Sequence, residues 1–158
     1  MSRLPALGPR GEGWVVLQVG LFAAVLVAGL AGPMVDGVAR GVIAVIGATL
    51  AAIGGFLAAR GLLDLDAALT PLPHPRDGVE LVEHGSYRLV RHPIYGGIVI
   101  GATGYALLTA SVVALAGGAV LLGFFRLKSG REEAWLRERY PGYEAYAART
   151  KRMIPFLY

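Results

Sequence analysis

Hydrophobic and polar residues are sorted along this chain into long blocks. Trp14–Gly32 is a 19-residue run in which Gln18 is the one strongly polar member, and Gly41–Ala59 is a second run of 19, uncharged and bracketed by Arg40 and Arg60. A third block, Ile94–Phe125, runs 32 residues without a formal charge. At about 1.5 Å of rise per residue, 19 helical residues reach roughly 28 Å, close to the ~30 Å of hydrocarbon in a bilayer. The third block as one helix would reach roughly 48 Å. Two short helices folded back at Thr109-Ala110-Ser111 fit it better, each borrowing length from its polar flank. The expectation is an all-α integral membrane protein with four transmembrane helices, at 14–32, 41–59, 94–109 and 111–127, in a single membrane domain.

The polar segments carry the punctuation. Residues 1–13 form a short lead, expected to be mobile and retained, because the following run is longer than a signal-peptide core and no small-x-small site follows it. Trp14 suits a membrane interface, and PMVDGVAR at 33–40 makes a short turn. In the 60–93 loop, Leu62, Leu63 and Leu65 continue the second helix until Pro71, Pro73 and Pro75 break it. Val79–Val82 could be extended, and Gly85 turns the chain before Tyr87. Gly97 and Gly101 form a GxxxG pair, and with Gly117, Gly118 and Gly123 they suit a tight hairpin. In the C-terminal block 128–158, Arg131–Tyr140 reads as a helix stopped by Pro141-Gly142. A second helical piece follows, with Tyr143, Tyr146, Ala147 and Thr150 on one face. Arg149, Lys151 and Arg152 are placed to meet anionic headgroups, and Ile154-Pro155-Phe156 ends the chain with an apolar contact.

Composition supports the membrane reading. Hydrophobic residues make up 55% of the chain and charged ones 16%, against about 25% charged in soluble domains. Mean hydropathy is +0.57. The net charge of +4 does not point to nucleic acid, because the basic residues flank apolar segments; membrane lipids are the expected contact. With four spans, only Arg40 among the 15 Lys and Arg residues falls on the side of the 33–40 and 109–111 loops. The positive-inside rule then puts both termini, the 60–93 loop and the C-terminal tail in the cytoplasm.

Candidate chemistry lies at the two edges of the third block. Tyr87, Arg88, Arg91, His92 and Tyr95 crowd the positive end of a helix dipole, which attracts anions. Pro93 at the first helical position has no donor to waste. Each residue alone has an ordinary structural explanation. Folding the block in half, however, brings Glu132-Glu133 to the same membrane face as His92, where a carboxylate accepts hydrogen bonds from a ribose diol or an amine. No metal is expected: His74, His84 and His92 have no helix-face spacing, and cysteine is absent. Gly11-Glu12-Gly13 is no dinucleotide fingerprint, since no strand precedes it and the last Gly is missing.

The sequence Gly85-Ser-Tyr-Arg-Leu-Val-Arg-His-Pro-Ile-Tyr95, followed by a helical hairpin, Glu132-Glu133, Tyr143-x-x-Tyr146 and Ile154-Pro155, closely resembles the isoprenylcysteine carboxyl methyltransferase family, which belongs with the membrane phospholipid methyltransferases. The resemblance covers roughly residues 75–158. It implies S-adenosylmethionine as methyl donor, bound at the cytoplasmic membrane face, and a lipid-like or prenylated acceptor. Carried over by position, Val79, Leu81, Val82, Tyr87, His92, Pro93, Tyr95 and Glu132 would contact the cofactor. Arg91 belongs to the same motif. Lys128 holds the family's basic substrate-contacting position one turn before the glutamate, with Arg126 nearby. Tyr140-Pro141-Gly142-Tyr143 is one residue shorter than the family's stretch, and His84 stands where the family has a small residue.

Methyl transfer from a sulfonium to a carboxylate needs alignment and exclusion of water rather than a general base. An amine or thiol acceptor would need one, for which Glu133 and His92 are the candidates; with Arg91 they complete the expected catalytic set. Two other classes compete. A membrane reductase using NADPH on an enone could occupy the same face, and a non-enzymatic membrane subunit would suit the small size. A transporter is disfavoured, since no charged residue falls within the proposed spans apart from Arg126 at the polar end of the last.

Overall fold

The computed structural model describes residues 5, 7–31, 37, 39–75 and 77–155, with no side-chain description at Ala67. Five α-helices follow one another: α1 (Glu12–Ala31), α2 (Arg40–Leu65), α3 (Pro93–Leu108), α4 (Val112–Arg139) and α5 (Tyr143–Arg149). Two 3-10 turns, Asp66–Ala68 and Gly85–Arg88, punctuate the α2–α3 connection. Among the described residues the only β-pairing is one parallel bridge, Val90 with Lys151, and Val79–Val82 belong to no strand. The helices α1, α2 and α4 are long and apolar enough to cross a membrane; α3 is apolar but shorter. The chain is therefore an all-helical membrane protein. Large apolar side chains point outward, with Val16 72% and Leu63 70% exposed, as expected of helices solvated by lipid.

The closest helix contact is between α2 and α3. On α2, Gly47, Gly54 and Gly61 are buried and recur every seven residues. A Cβ on Gly54 would strike the backbone of Gly97 and Gly101, and a Cβ on Gly97 would strike that of Gly54 and Ala58. Small residues allow this approach, which in lipid replaces the hydrophobic drive between helices with close packing. The glycines of the third block were expected to tighten its own hairpin. Gly97 and Gly104 instead meet α2, and the hairpin is joined differently. Ser111 caps α4 by accepting from the Ala114 amide at 3.2 Å, and its hydroxyl donates to the Ala28 carbonyl of α1 at 2.8 Å. The turn falls at Thr109–Ser111, where Ala110 takes φ 51°.

Three further readings differ from expectation. The helix entering at Val112 does not stop before Arg131. It runs through Ser129-Gly130 to Arg139, because no proline falls between Arg126 and Arg139 and Pro141 is the first. Trp14, read as an interface residue, packs inward. It is buried, with its ring 5.6 Å from that of Phe124 in a core that includes Val25, Val99, Leu121, Phe125 and Met153. The N-terminal lead is also partly ordered: the Gly13 amide donates to the Leu7 carbonyl at 2.8 Å. Residues 1–4 and 6 of that lead, 32 at the end of the expected first span, 33–36 and 38 of the 33–40 turn, and 156–158 lie outside the described residues.

At the polar end the chain is sewn together. The Arg91 and His92 amides donate to the Lys151 and Arg152 carbonyls, each at 2.9 Å. A Cβ on Gly96 would strike the Met153 carbonyl, so the last residues lie directly on the start of α3.

Candidate functional site

The α3 entrance is fixed from three sides. Gly85 adopts φ 57°, a left-handed conformation open to glycine at little cost. The next amide and the Ser86 hydroxyl both donate to Asp64 Oδ2 at 2.7 Å, which ties the turn to the end of α2. Tyr87 is buried behind it, and its carbonyl accepts the Tyr146 hydroxyl at 2.8 Å. Pro93 then opens α3 at a position that needs no donor.

Glu133 is the hub of the polar end. It is 1% exposed. Arg91 Nε donates to Oε1 at 3.0 Å, Arg152 reaches both oxygens at 3.2 and 3.1 Å, and Arg137 reaches Oε2 at 3.3 Å. His92 Nε2 lies 3.2 Å from Oε1. Glu133 projects from the charged extension of α4, beyond the apolar segment. Burial alone would raise its pKa, but the hydrogen bonds from His92, Arg152 and Arg91 outweigh burial and hold the carboxyl well below the usual range. Arg91 spends its other donors on the Ala147 and Thr150 carbonyls, at 2.8 and 2.5 Å.

Glu132 faces the other way. Its Oε2 accepts the Tyr95 hydroxyl at 2.8 Å and lies 3.8 Å from His92 Nδ1. The His92 and Tyr95 rings stack at 5.3 Å with 2° between planes, and Tyr95 stacks in turn on Phe125 at 4.6 Å. These groups open onto a cavity of about 460 Å³. Its walls come from the end of α2, the 68–82 loop, the start of α3, the α4 extension and the tyrosines of the C-terminal segment. Burial pushes the hydroxyls of Tyr87, Tyr143 and Tyr146 up, so all three are neutral near pH 7. Tyr143 lines the cavity, and its buried hydroxyl makes no hydrogen bond among the described residues. A buried donor left unmatched in this way is what a bound ligand would satisfy.

The cavity gathers Val79, Leu81, Val82, Tyr87, Arg91, His92, Tyr95, Lys128 and Glu132 from positions far apart in the chain. It does not gather all the candidates. Pro93 is buried against α2 at Gly61 rather than on the lining. Glu133 stands behind the wall, inside its ring of cations. Arg126 is exposed and absent from the lining. His84 is exposed beside the Gly85 turn. Several residues take roles in the geometry that their place in the sequence did not assign to them. Arg152, expected at lipid headgroups, clamps Glu133; Arg149 likewise pairs with Glu83. Tyr140 donates to the Val79 carbonyl at 2.7 Å and anchors the cavity loop. Gln18 lines the cavity from α1, and its isolation in an apolar run was the signal that could have found it.

Fold and cavity together define a helical membrane protein with an amphipathic pocket at the polar ends of its apolar helices. Residues 42–142, well over half the chain, match the phospholipid methyltransferase family, and the chain belongs to that family. Among curated proteins it is similar to a probable protein-S-isoprenylcysteine O-methyltransferase of Oryza sativa subsp. japonica, 36% identical over 86 residues, which are 53% of this chain and 45% of the rice protein. Protein-S-isoprenylcysteine O-methyltransferase B of Arabidopsis thaliana is 29% identical over 115 residues, 70% of this chain and 58% of the relative. Its A counterpart is 37% identical over 79 residues, 49% and 40% of the two chains. The chain thus spans about half the length of the curated relatives it matches.

Proposed function

We propose that this chain transfers a methyl group from S-adenosylmethionine to the carboxylate of a lipid-like acceptor, at the cytoplasmic face of a membrane crossed four times. A prenylated cysteine is the acceptor named in the relatives, and the acceptor class proposed here. The observation that carries the reading is the cavity itself. It joins an aromatic wall, a carboxylate aimed inward at Glu132, and the unmatched Tyr143 hydroxyl, at the level where apolar helices meet the polar segments.

The residues present fit such a cofactor. Glu132 supplies negative charge, the Tyr87, Tyr143 and Tyr146 rings that line the cavity attract a cation by about 0.5–2 kcal/mol, and the 79–82 segment offers backbone groups along one side. When bound, S-adenosylmethionine would supply a methyl group activated by its sulfonium: an acceptor carboxylate oxygen would bond to that methyl carbon as the carbon–sulfur bond breaks, leaving a methyl ester and a thioether with no proton transferred. Tyr95 fixes the direction of Glu132 through its 2.8 Å hydrogen bond. His92, stacked on Tyr95 and held by Glu133, keeps that ring in place. Arg91 and Glu133 act as positioning residues, because their polar atoms are engaged with each other and with the C-terminal segment. The apolar lining excludes water, and alignment of two held reactants lowers the barrier by several kcal/mol.

The test is equilibrium binding of S-adenosylhomocysteine to purified protein by calorimetry. Saturable one-to-one binding, weakened about tenfold or more by Glu132→Gln, is expected. No binding to the folded protein would remove the cofactor from the reading.

A further inference from the structure

Lys128 occupies an unusual position. It is 1% exposed, it lines the cavity, and it forms no ion pair among the described residues. Its ammonium donates to two neutral oxygens instead: Gln18 Oε1 at 2.5 Å and the Pro71 carbonyl at 3.2 Å. The Tyr95 ring lies 5.2 Å away. Two neutral acceptors and the more distant charge of Glu132 partly offset the burial of this ammonium, and a buried cation without a direct ion pair attracts an anion when water is excluded. Glu132, one helical turn on, is turned toward Tyr95 and His92. The cavity therefore has a cationic end at Gln18, Lys128 and Pro71, and an anionic end at Glu132.

Gln18 belongs to α1, which precedes the 42–142 region that matches the family. It is the strongly polar residue of an otherwise apolar run, and a polar side chain in such a helix is retained where it has a partner. Gln18 has one, and that partner lies 110 residues away on α4. The neutrality of the amide matters. A glutamate at this position would pair with Lys128 and cancel its charge, whereas an apolar residue would leave the ammonium short of an acceptor.

We infer that Gln18 is a positioning residue that holds the Lys128 ammonium in the cavity wall, with its charge available, and so sets a preference for acceptors that carry a carboxylate. This deepens the proposed function and rests on it for the acceptor class. A carboxylate could come from the acceptor or from the cofactor. The cationic end adjoins α1 and the apolar core around Phe22 and Phe125, so the acceptor is assigned to it.

The experiment compares the full chain with Gln18→Leu and Gln18→Glu in detergent micelles, each first shown to unfold cooperatively. Three affinities are measured by calorimetry: N-acetyl-S-farnesylcysteine, its methyl ester, and S-adenosylhomocysteine. The unsubstituted protein is expected to bind the free carboxylate about tenfold more tightly than the ester. Both variants should lose that preference, Gln18→Glu more completely, while S-adenosylhomocysteine affinity stays within about twofold. Gln18→Asn, which keeps the amide, should restore part of the preference. The inference is overturned if the unsubstituted protein binds acid and ester equally, if both variants keep the preference, or if the loss falls on S-adenosylhomocysteine instead. Retained carboxylate preference without any methyl transfer would overturn the functional reading and leave the role of Gln18 standing.

Discussion

Adjacent glutamates do opposite work at the polar end of this protein. Glu132 and Glu133 are neighbours on α4, so the helix turns them about 100° apart. One meets the cavity and the other meets three arginines. Removing the charge of the buried Glu133 takes the counter-ion from three arginines whose side chains are 13–41% exposed, a loss of charge-assisted hydrogen bonds that costs about 1–3 kcal/mol. Glu133→Gln is therefore expected to lower the thermal midpoint clearly, whereas Glu132→Gln should leave it nearly unchanged. Scanning fluorimetry of the two variants checks this. The pH dependence follows the same logic. The folded pKa of Glu133 is depressed, so its stabilising contribution is fully present above the unfolded carboxyl range of about 4.3. That contribution is lost as pH falls through the folded value. Stability measured from pH 6 downward should fall less steeply in Glu133→Gln than in the unsubstituted protein. An identical slope would remove Glu133 as the acid-sensitive hub.

Helix contacts explain both what the sequence disclosed and what it concealed. The apolar blocks disclosed the helices, because a bilayer demands uninterrupted hydrogen-bonded backbone over a fixed length. The folded third block disclosed that Glu132 and His92 share one face. Partner choice among glycines was concealed: a GxxxG pattern states that something comes close, and not which helix does. Here α2 meets α3, at Gly54 and Gly97. Gly97→Val should therefore destabilise the protein by about 1–3 kcal/mol through overpacking, while Gly55→Ala, with open space around its Cβ, should be neutral. Thermal midpoints of both variants in one detergent give the comparison, and equal midpoints would contradict the α2–α3 contact. The α4 extension was concealed for a different reason. A change from apolar to charged composition looks like a boundary in sequence, yet the backbone stays helical until Pro141. Arg152 could not be assigned either, since a basic residue near a chain end has the same pattern whether it meets lipid or a buried carboxylate.

Taken whole, the chain is a scaffold of apolar helices whose polar ends are drawn together by the 66–92 connection and the C-terminal segment. The proposed orientation puts that polar end in the cytoplasm, with only the 33–40 and 109–111 turns opposite. The absence of cysteine makes this directly measurable. A single cysteine in place of Gly78 should react with an impermeant maleimide only after the cells are opened, and one in place of Gly37 should react in intact cells. The reverse pattern would invert the topology. Under the proposed function, the cavity's two polar ends, Glu132 and Lys128, would hold cofactor and acceptor side by side.

The central claim is methyl transfer to a lipid carboxylate, and one assay addresses it. Purified protein in lipid vesicles is incubated with S-adenosylmethionine labelled in its methyl group and with N-acetyl-S-farnesylcysteine. Label released from the organic phase as methanol by mild base is then counted. The account predicts base-labile label that depends on acceptor and falls at least about a hundredfold in Glu132→Gln. Folded protein that binds S-adenosylhomocysteine yet transfers no label to this or any other lipid carboxylate would contradict it.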